Sequence, residues 1–216
     1  MIPYACLCIV IGYCFGCILT ANIVEKRLRG VKANDIGSGN PGMANVMREE
    51  GKKAGFIVLA GDILKTVIAI AICMILFGKV IGNDMALLFA GAGAVVGHNY
   101  PITNKFKGGM GVTVSISWII LLMPVAGIIC SLIGAGITYY TGYLAIGGVL
   151  IPLLAAICAF VLKGFIPGIF MVFCSLMMFW KFRDDLKDLF KGDGIQYFRN
   201  RNKNKSPDAE NDKKPQ

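Results

Sequence analysis

Six apolar runs, at approximately 2–24, 54–77, 85–97, 112–138, 144–162 and 165–180, alternate with short polar stretches along the chain. A helix needs about 20 consecutive apolar residues to cross the hydrocarbon core of a bilayer. Several of these runs meet that length, while 85–97 and 165–180 are short for a full crossing. The 112–138 run contains Pro124 and is long enough to kink or to split into two short helices. The first run, Ile2 to Val24, has no positive charge before it and no small-residue cleavage site after it. It is expected to be a retained membrane helix rather than a signal peptide.

Composition agrees with this pattern. Hydrophobic residues make up 56% of the chain and charged residues only 16%, against about 25% charged in soluble domains. The net charge of +9 falls in three blocks, Lys26 to Lys53, Lys105 with Lys107, and Lys181 to Lys214. The positive-inside rule places all three in the cytoplasm and the charge-free N-terminus outside. Topology therefore accounts for the basic residues, and nucleic-acid binding is not expected. An odd number of crossings is then required. The expectation is an all-α integral membrane protein of about seven transmembrane helices, some short or kinked, with cytoplasmic glycine-rich loops. Residues 1–199 are expected to form one membrane domain, and 200–216, "NRNKNKSPDAENDKKPQ", is a polar tail expected to be disordered.

The eight cysteines all lie in apolar runs and read as small hydrophobes, including the C-x-x-C of Cys14 and Cys17. No metal site and no cofactor are expected. Gly12 with Gly16, and Gly93 with Gly97, form two G-x-x-x-G patterns that allow helix backbones to approach closely. Asp62 and Lys65 stand in the middle of the second run, where a charge costs about 2.5–3.5 kcal/mol or more unless it faces a polar cavity. They are three residues apart and on one helix face. They are either a self-neutralised pair or the support of a polar site inside the bundle.

Two polar loops interrupt the apolar pattern. "DIGSGNPGMANVMRE", residues 35–49, combines Gly37, Gly39 and Gly42 with Ser38, Asn40, Asn45 and Arg48. Successive backbone N–H groups in such a loop can form an anion-binding nest, and an arginine offers a planar fork for phosphate. "GHNYPITNKFKGGMGV", residues 97–112, places the sole histidine, His98, before Lys105, Lys107, Gly108, Gly109 and Gly111. A glycine-rich turn at a helix N-terminus favours phosphate through unpaired N–H groups and the helix dipole. The bland alternatives are a flexible loop, and a histidine that merely satisfies a backbone carbonyl.

"GSGNPGMANVMR" resembles the first motif of the acyl-phosphate-dependent glycerol-3-phosphate acyltransferases, the PlsY family, usually GSGN-x-GATN-x-x-R. "GHNYPITNKFKGGMGV" resembles that family's second motif, GH-x-FP-x-F-x-x-FKGGKGVA, and "GDILK", Gly61 to Lys65, matches its D-x-x-K. The resemblance covers approximately residues 1–195. It implies a bacterial inner-membrane enzyme with seven helices. Such an enzyme moves an acyl chain from acyl phosphate to the sn-1 hydroxyl of glycerol 3-phosphate, giving lysophosphatidic acid and phosphate. On this resemblance Ser38, Gly39, Asn40, Asn45 and Arg48 hold phosphate, with Lys107, Gly108 and Gly109 completing the site and His98 close by. Arg48, His98 and Lys107 are the expected catalytic residues, and Asp62, Lys65 and Arg183 support them. The partners are acyl phosphate, glycerol 3-phosphate and membrane lipids, with the acyl chain lying between helices.

The chain also departs from the family pattern. Met110 stands where the family has lysine, Ala44 where it has threonine, and Cys17-Ile18-Leu19 where it has S-x-P. "AIGG", Ala145 to Gly148, replaces a serine-bearing stretch, and "FRDDLKDL" puts Phe182 and Asp185 in the places of a histidine and an asparagine. The donor side of the site is thus better preserved than the acceptor side. Two other readings follow: a divergent member with another acceptor or binding without turnover, and a small anion carrier. Against the carrier, both polar loops lie on one face and no repeat is visible.

Overall fold

The structure, a computed structural model, describes residues 1–191, and all regular elements among them are helical. The tail expected from residue 200 lies outside the described residues. The helices are α1 (Ile2–Gly16), α2 (Thr20–Arg29), α3 (Met43–Glu50), α4 (Lys52–Ile81), α5 (Asn83–Asn99), α6 (Val112–Leu122), α7 (Pro124–Thr141), α8 (Leu144–Leu162), α9 (Phe165–Lys181) and α10 (Arg183–Lys191). Short 3₁₀ turns at Ala33–Asp35 and Ile102–Asn104 lie in the two polar loops.

Five segments are long and apolar enough to cross a membrane: Ile2–Arg29, Lys52–Ile81, Asn83–Asn104, Pro124–Thr141 and Leu144–Leu162. The apolar α9 would supply a sixth when taken with the residues after it; the charged α10 lies past a 60° bend. The 112–138 run does split. Pro124 starts α7, because a proline lacks the N–H that a continuing helix would need but is tolerated in a first turn. The split leaves α6 with 11 residues, a rise of about 16 Å and roughly half of a bilayer core. The expected seven crossings are reached only if this short helix is counted. The 85–97 run, in contrast, is longer than its apolar residues suggest. Its polar ends are accommodated by Asp84 pairing at 2.7 Å with Lys163, the residue that follows α8, and by burial of His98 and Asn99.

The two G-x-x-x-G patterns meet each other. A Cβ at Gly12 or Gly16 would lie 2.0 or 2.3 Å from the carbonyls of Ala90 or Ala94 on α5. One at Gly93 or Gly97 would lie 2.2 Å from those of Ile9 or Tyr13 on α1. Only glycine permits this backbone contact. The clasp fixes the loop that follows α5: the Tyr13 hydroxyl donates to the Tyr100 carbonyl at 2.9 Å and accepts from the Ile102 N–H at 3.1 Å.

The first run is not one straight helix. It breaks at Cys17–Leu19, where Leu19 is extended, before α2 resumes. The break releases two carbonyls from helical bonding. Cys17 accepts from the Thr103 hydroxyl at 3.0 Å and Ile18 accepts from Lys65 Nζ at 2.7 Å. The remaining core runs through α4, α5, α6, α8 and α9 around Leu88, Trp118, Ile119 and Met171.

Candidate active site

The loops 30–42 and 100–111 lie together at one end of the bundle, held by side-chain amides. Asn34 Oδ1 accepts from Asn104 Nδ2 at 2.8 Å and from Asn22 Nδ2 at 3.3 Å, and Asn34 Nδ2 donates to the Gly39 carbonyl at 3.2 Å. Asn104 also donates to the Lys107 carbonyl at 2.6 Å and accepts from Lys32 at 3.0 Å. None of these asparagines stands out in the sequence, where turn asparagines are commonplace. In the fold they clip the two loops to each other.

Within the first loop, Asn45 is a staple. Its Oδ1 accepts from the Ser38 N–H at 2.8 Å and the Ser38 hydroxyl at 3.1 Å, and its Nδ2 donates to the carbonyls of Ala33 and Ile36. Gly37 has φ 55° and Gly39 has φ 71°. A Cβ at Gly37 would also lie 2.3 Å from Asn45 Oδ1, so glycine is needed there for conformation and for space. Asn40 lines the neighbouring cavity, and its buried Oδ1 has no partner among the described residues. Arg48, on α3, is exposed and pairs through Nε with Glu49 at 3.2 Å.

The second loop carries a tight turn in which Lys105 and Phe106 both adopt the left-handed conformation, with φ 53° and 60°. Non-glycine residues there store roughly 1–3 kcal/mol each. The Lys107 side chain is exposed. Gly108 and Gly109 press against His98: a Cβ at Gly108 would lie 2.1 Å from the His98 carbonyl and one at Gly109 2.3 Å from His98 Nε2. The Gly109 N–H donates to the His98 carbonyl at 3.0 Å. Gly111, at φ 80°, leads into α6, whose first-turn N–H groups have no acceptor within the helix.

Behind this turn is a buried polar cluster. Lys65 Nζ lies 2.8 Å from Asp62 Oδ1 and 2.9 Å from His98 Nδ1, and donates to the Ile18 carbonyl. Asp62 Oδ1 also accepts from the Thr20 hydroxyl at 3.1 Å. Relative exposures of 2% for Asp62, 5% for Lys65 and 3% for His98 put the cluster out of solvent. Asp62 and Lys65 thus pair with each other, and Lys65 also contacts His98.

A cavity of about 500 Å³ opens from the loops into the bundle, lined in part by Asn40, Asp62, His98, Gly111, Ile116 and Ile151. Its lining reaches outward at Ile63 of α4 and Tyr139 of α7, which are 40% and 73% exposed. One wall is polar, built from α4 and α5. The other is apolar: Met110 and Gly148 line it, and Met110 packs on the cluster of Ala145, Met178 and Phe182. Phe182 is 1% exposed, and a Cβ at Gly148 would lie 2.6 Å from its ring.

Residues 6–192 match the family described as glycerol-3-phosphate acyltransferase. The chain belongs to the glycerol-3-phosphate acyltransferase family. Glycerol-3-phosphate acyltransferase 1 of Lactobacillus johnsonii is 39% identical over 86% of this chain and 89% of the relative. The acyltransferase of Clostridioides difficile is 33% identical over 85% and 90%. The crystal structure of PlsY (YgiH), an integral membrane glycerol 3-phosphate acyltransferase, in its glycerol 3-phosphate form superposes with a TM-score of 0.78. The identity is 27%, with coverage of 89% of this chain and 94% of that one. Its lysophosphatidic acid form gives 0.77 at 28% identity. The all-α integral membrane architecture expected from the apolar runs is that of this acyltransferase family.

Against the family pattern, several but not all of the positions that differ lie close together; Ala44 on α3 and Cys17–Leu19 at the end of α1 stand apart from them. Met110, Gly148 and Phe182 share the apolar wall, while Asp185 lies on α10 just beyond it. Arg183 stacks on Trp180 with its Cζ 4.4 Å from the ring, and Nε is 3.6 Å from Asp184. Two further residues were not singled out by sequence. Lys181 Nζ donates to the carbonyls of Asn99 and Gly108 at 3.1 and 3.3 Å. Asn99 is fully buried beside Gly111, with neither amide atom partnered among the described residues. Lysine at a helix end is common near charged headgroups, and asparagine near a turn is ordinary, so neither carried a signal.

Proposed function

We propose that the protein transfers a fatty acyl chain from acyl phosphate to the sn-1 hydroxyl of glycerol 3-phosphate. The observation that carries this reading is the clipping of two glycine-rich loops at the mouth of an apolar cavity that reaches the bundle's exterior. One end suits phosphate and the other suits a lipid tail. The hydroxyl oxygen attacks the acyl carbonyl carbon, the bond from that carbon to the phosphate oxygen breaks, and phosphate leaves with the electron pair. The hydroxyl proton passes to a phosphate oxygen. Because phosphate is already a good leaving group, holding the two substrates together and neutralising their charge are the main tasks. Ser38, Gly39, Asn40, Asn45 and Arg48 form and flank the first-loop phosphate site; Lys107, Gly108, Gly109 and His98 form the second.

The protein resides in the bacterial inner membrane with its N-terminus outside and the site facing the cytoplasm. Supporting this orientation, Arg29, Lys32, Lys107 and Lys181 gather at the end that carries the loops, as the positive-inside rule requires.

The test uses detergent-purified protein with long-chain acyl phosphate, with and without glycerol 3-phosphate, following phosphate release and lysophosphatidic acid. Acceptor-dependent product that is lost in Arg48→Ala is expected. Absence of product from the unaltered protein overturns the reading. The apolar wall at Met110, Gly148 and Phe182 favours a second reading, a less anionic acceptor hydroxyl. Phosphate release that responds to such an alcohol and not to glycerol 3-phosphate would select it.

A further inference from the structure

Lys65 makes three polar contacts in the structure, to the Ile18 carbonyl, to Asp62 Oδ1 and to His98 Nδ1. An ammonium group has three hydrogens and no acceptor site. With Asp62 as its counter-ion at 2.8 Å, each hydrogen has a single partner, and the contact at 2.9 Å to His98 must run from lysine to imidazole. Nδ1 is then an acceptor. A neutral imidazole that accepts at one nitrogen donates at the other. That other nitrogen, Nε2, faces Gly109, the residue of the glycine turn where a side chain would strike it, and His98 lines the cavity.

We propose that His98 serves the acyl transfer as a neutral hydrogen-bond donor, offering Nε2–H to an anionic phosphate oxygen held at the glycine turn, and that Lys65 is the positioning residue that fixes this tautomer. The inference rests on the acyltransferase reading for the identity of the ligand, but the tautomer itself does not. His98 is thereby a donor and not a general base. Asp62 holds the lysine charged and in place, and its Oδ1 stays 3.9 Å from His98 Nδ1, beyond hydrogen-bond reach. The buried ion pair at the centre of the second apolar run therefore has a task besides neutralising itself. The absence of a side chain at Gly109 keeps Nε2 uncovered.

The chain has one histidine, so ring-¹⁵N-histidine labelling of the detergent-solubilised protein yields a single imidazole. A neutral ring protonated at Nε2 is expected; protonation at Nδ1, or a doubly protonated ring at neutral pH, overturns the proposal. Inorganic phosphate, acyl phosphate and glycerol 3-phosphate are then added separately. The one that shifts the Nε2 resonance identifies the source of the oxygen, and no shift with any of them overturns the donor role.

Activity supplies an independent arm. The glutamine amide nitrogen reaches about where Nε2 does, whereas that of asparagine reaches about as far as Nδ1. His98→Gln should keep kcat within about 10-fold, and His98→Asn should lose about 100-fold or more, the usual effect of removing one donor from a charge-stabilising site. Equal losses in the two variants would sink the proposal. Replacing both charges, in Asp62→Asn with Lys65→Met, should give a mixture of the two tautomers. If Nε2–H persists there, Lys65 is not the positioning residue. If the unaltered protein transfers no acyl group, the function reading fails, while the tautomer measurement still judges the Lys65–His98 relation.

Discussion

The two walls of the cavity solve opposite problems. On the α4 and α5 side, Asp62, Lys65 and His98 are buried and polar, and every Lys65 donor has a partner. On the α8 and α9 side, Met110, Gly148 and Phe182 are small or apolar, at positions where the resemblance to the PlsY family leads one to expect a lysine, a serine-bearing stretch and a histidine. A buried charge survives only when its partners are fixed. The polar wall is consequently rigid in composition, because altering one member strands another. The apolar wall can drift as a unit, since Met110, Phe182 and a glycine fit together by volume alone. The departures at Met110, Gly148 and Phe182 fit this asymmetry.

Breaking the polar wall should have the largest effect. Lys65→Met leaves Asp62 buried at 2% exposure without its cation, and such stranding costs about 3–5 kcal/mol. Thermal unfolding in detergent should show a clear loss for Lys65→Met, and partial recovery when Asp62→Asn is added. A single variant as stable as the parent would mean that the pair is not closed to water.

Reversing the apolar wall should be gentler on the fold and sharper on chemistry. Met110→Lys with Phe182→His restores two charge-assisted contacts to an anionic acceptor, each worth about 1.5–3 kcal/mol. The KM for glycerol 3-phosphate should fall by about 10-fold or more. An unchanged KM would show that this wall is not on the acceptor's side of the cavity.

How much of this was legible beforehand depends on the kind of signal. Apolar runs marked the helices because each needs a length and composition that few other structures share. The split at Pro124 was visible for the same reason. The end of α1 was not: Cys17–Leu19 is apolar, and the break there is explained only by Lys65 and Thr103, 47 and 86 residues away. The two G-x-x-x-G patterns were visible singly, but their contact with each other is tertiary. In the loops, glycines and charges were conspicuous, so Arg48 and Lys107 drew notice although both side chains are exposed here. The asparagines that join the loops were inconspicuous, because an amide looks the same in a solvated turn as in a clip. Asn45 illustrates the limit. Its residue type suggested a ligand contact, while in the structure all its bonds go to Ser38, Ala33 and Ile36.

Those clips give a third, intermediate prediction that concerns the ends of both walls. Asn34→Ala removes bonds to Asn104, Asn22 and Gly39, each with a net value of about 0.5–1.5 kcal/mol. Stability should fall by about 1.5–4.5 kcal/mol and kcat should fall more than KM rises, because the loops would no longer be held in register. If KM alone changes, Asn34 contacts substrate and does not act through the loops.

The smallest effect is expected just outside the apolar wall, at Asp185 on α10, a helix whose charged residues place it outside the membrane-spanning part of the chain. Burial first, and then the charges of Asp188 and Asp184, raise the Asp185 carboxyl above its ordinary range. A raised value means that the folded protein holds this proton more tightly than the unfolded chain. The associated stability is complete below the unfolded value of about 3.9 and is lost as pH rises through the folded one. At neutral pH the Asp185 charge is therefore a mild burden on the fold. Asp185→Asn should leave acid stability unaltered, raise the melting temperature slightly at neutral pH, and flatten the pH dependence between those limits. The same change removes a negative charge beside the proposed acceptor path. A gain in apparent affinity for glycerol 3-phosphate without the stability change would show that Asp185 acts on the substrate, whereas the stability change alone would confine its influence to α10.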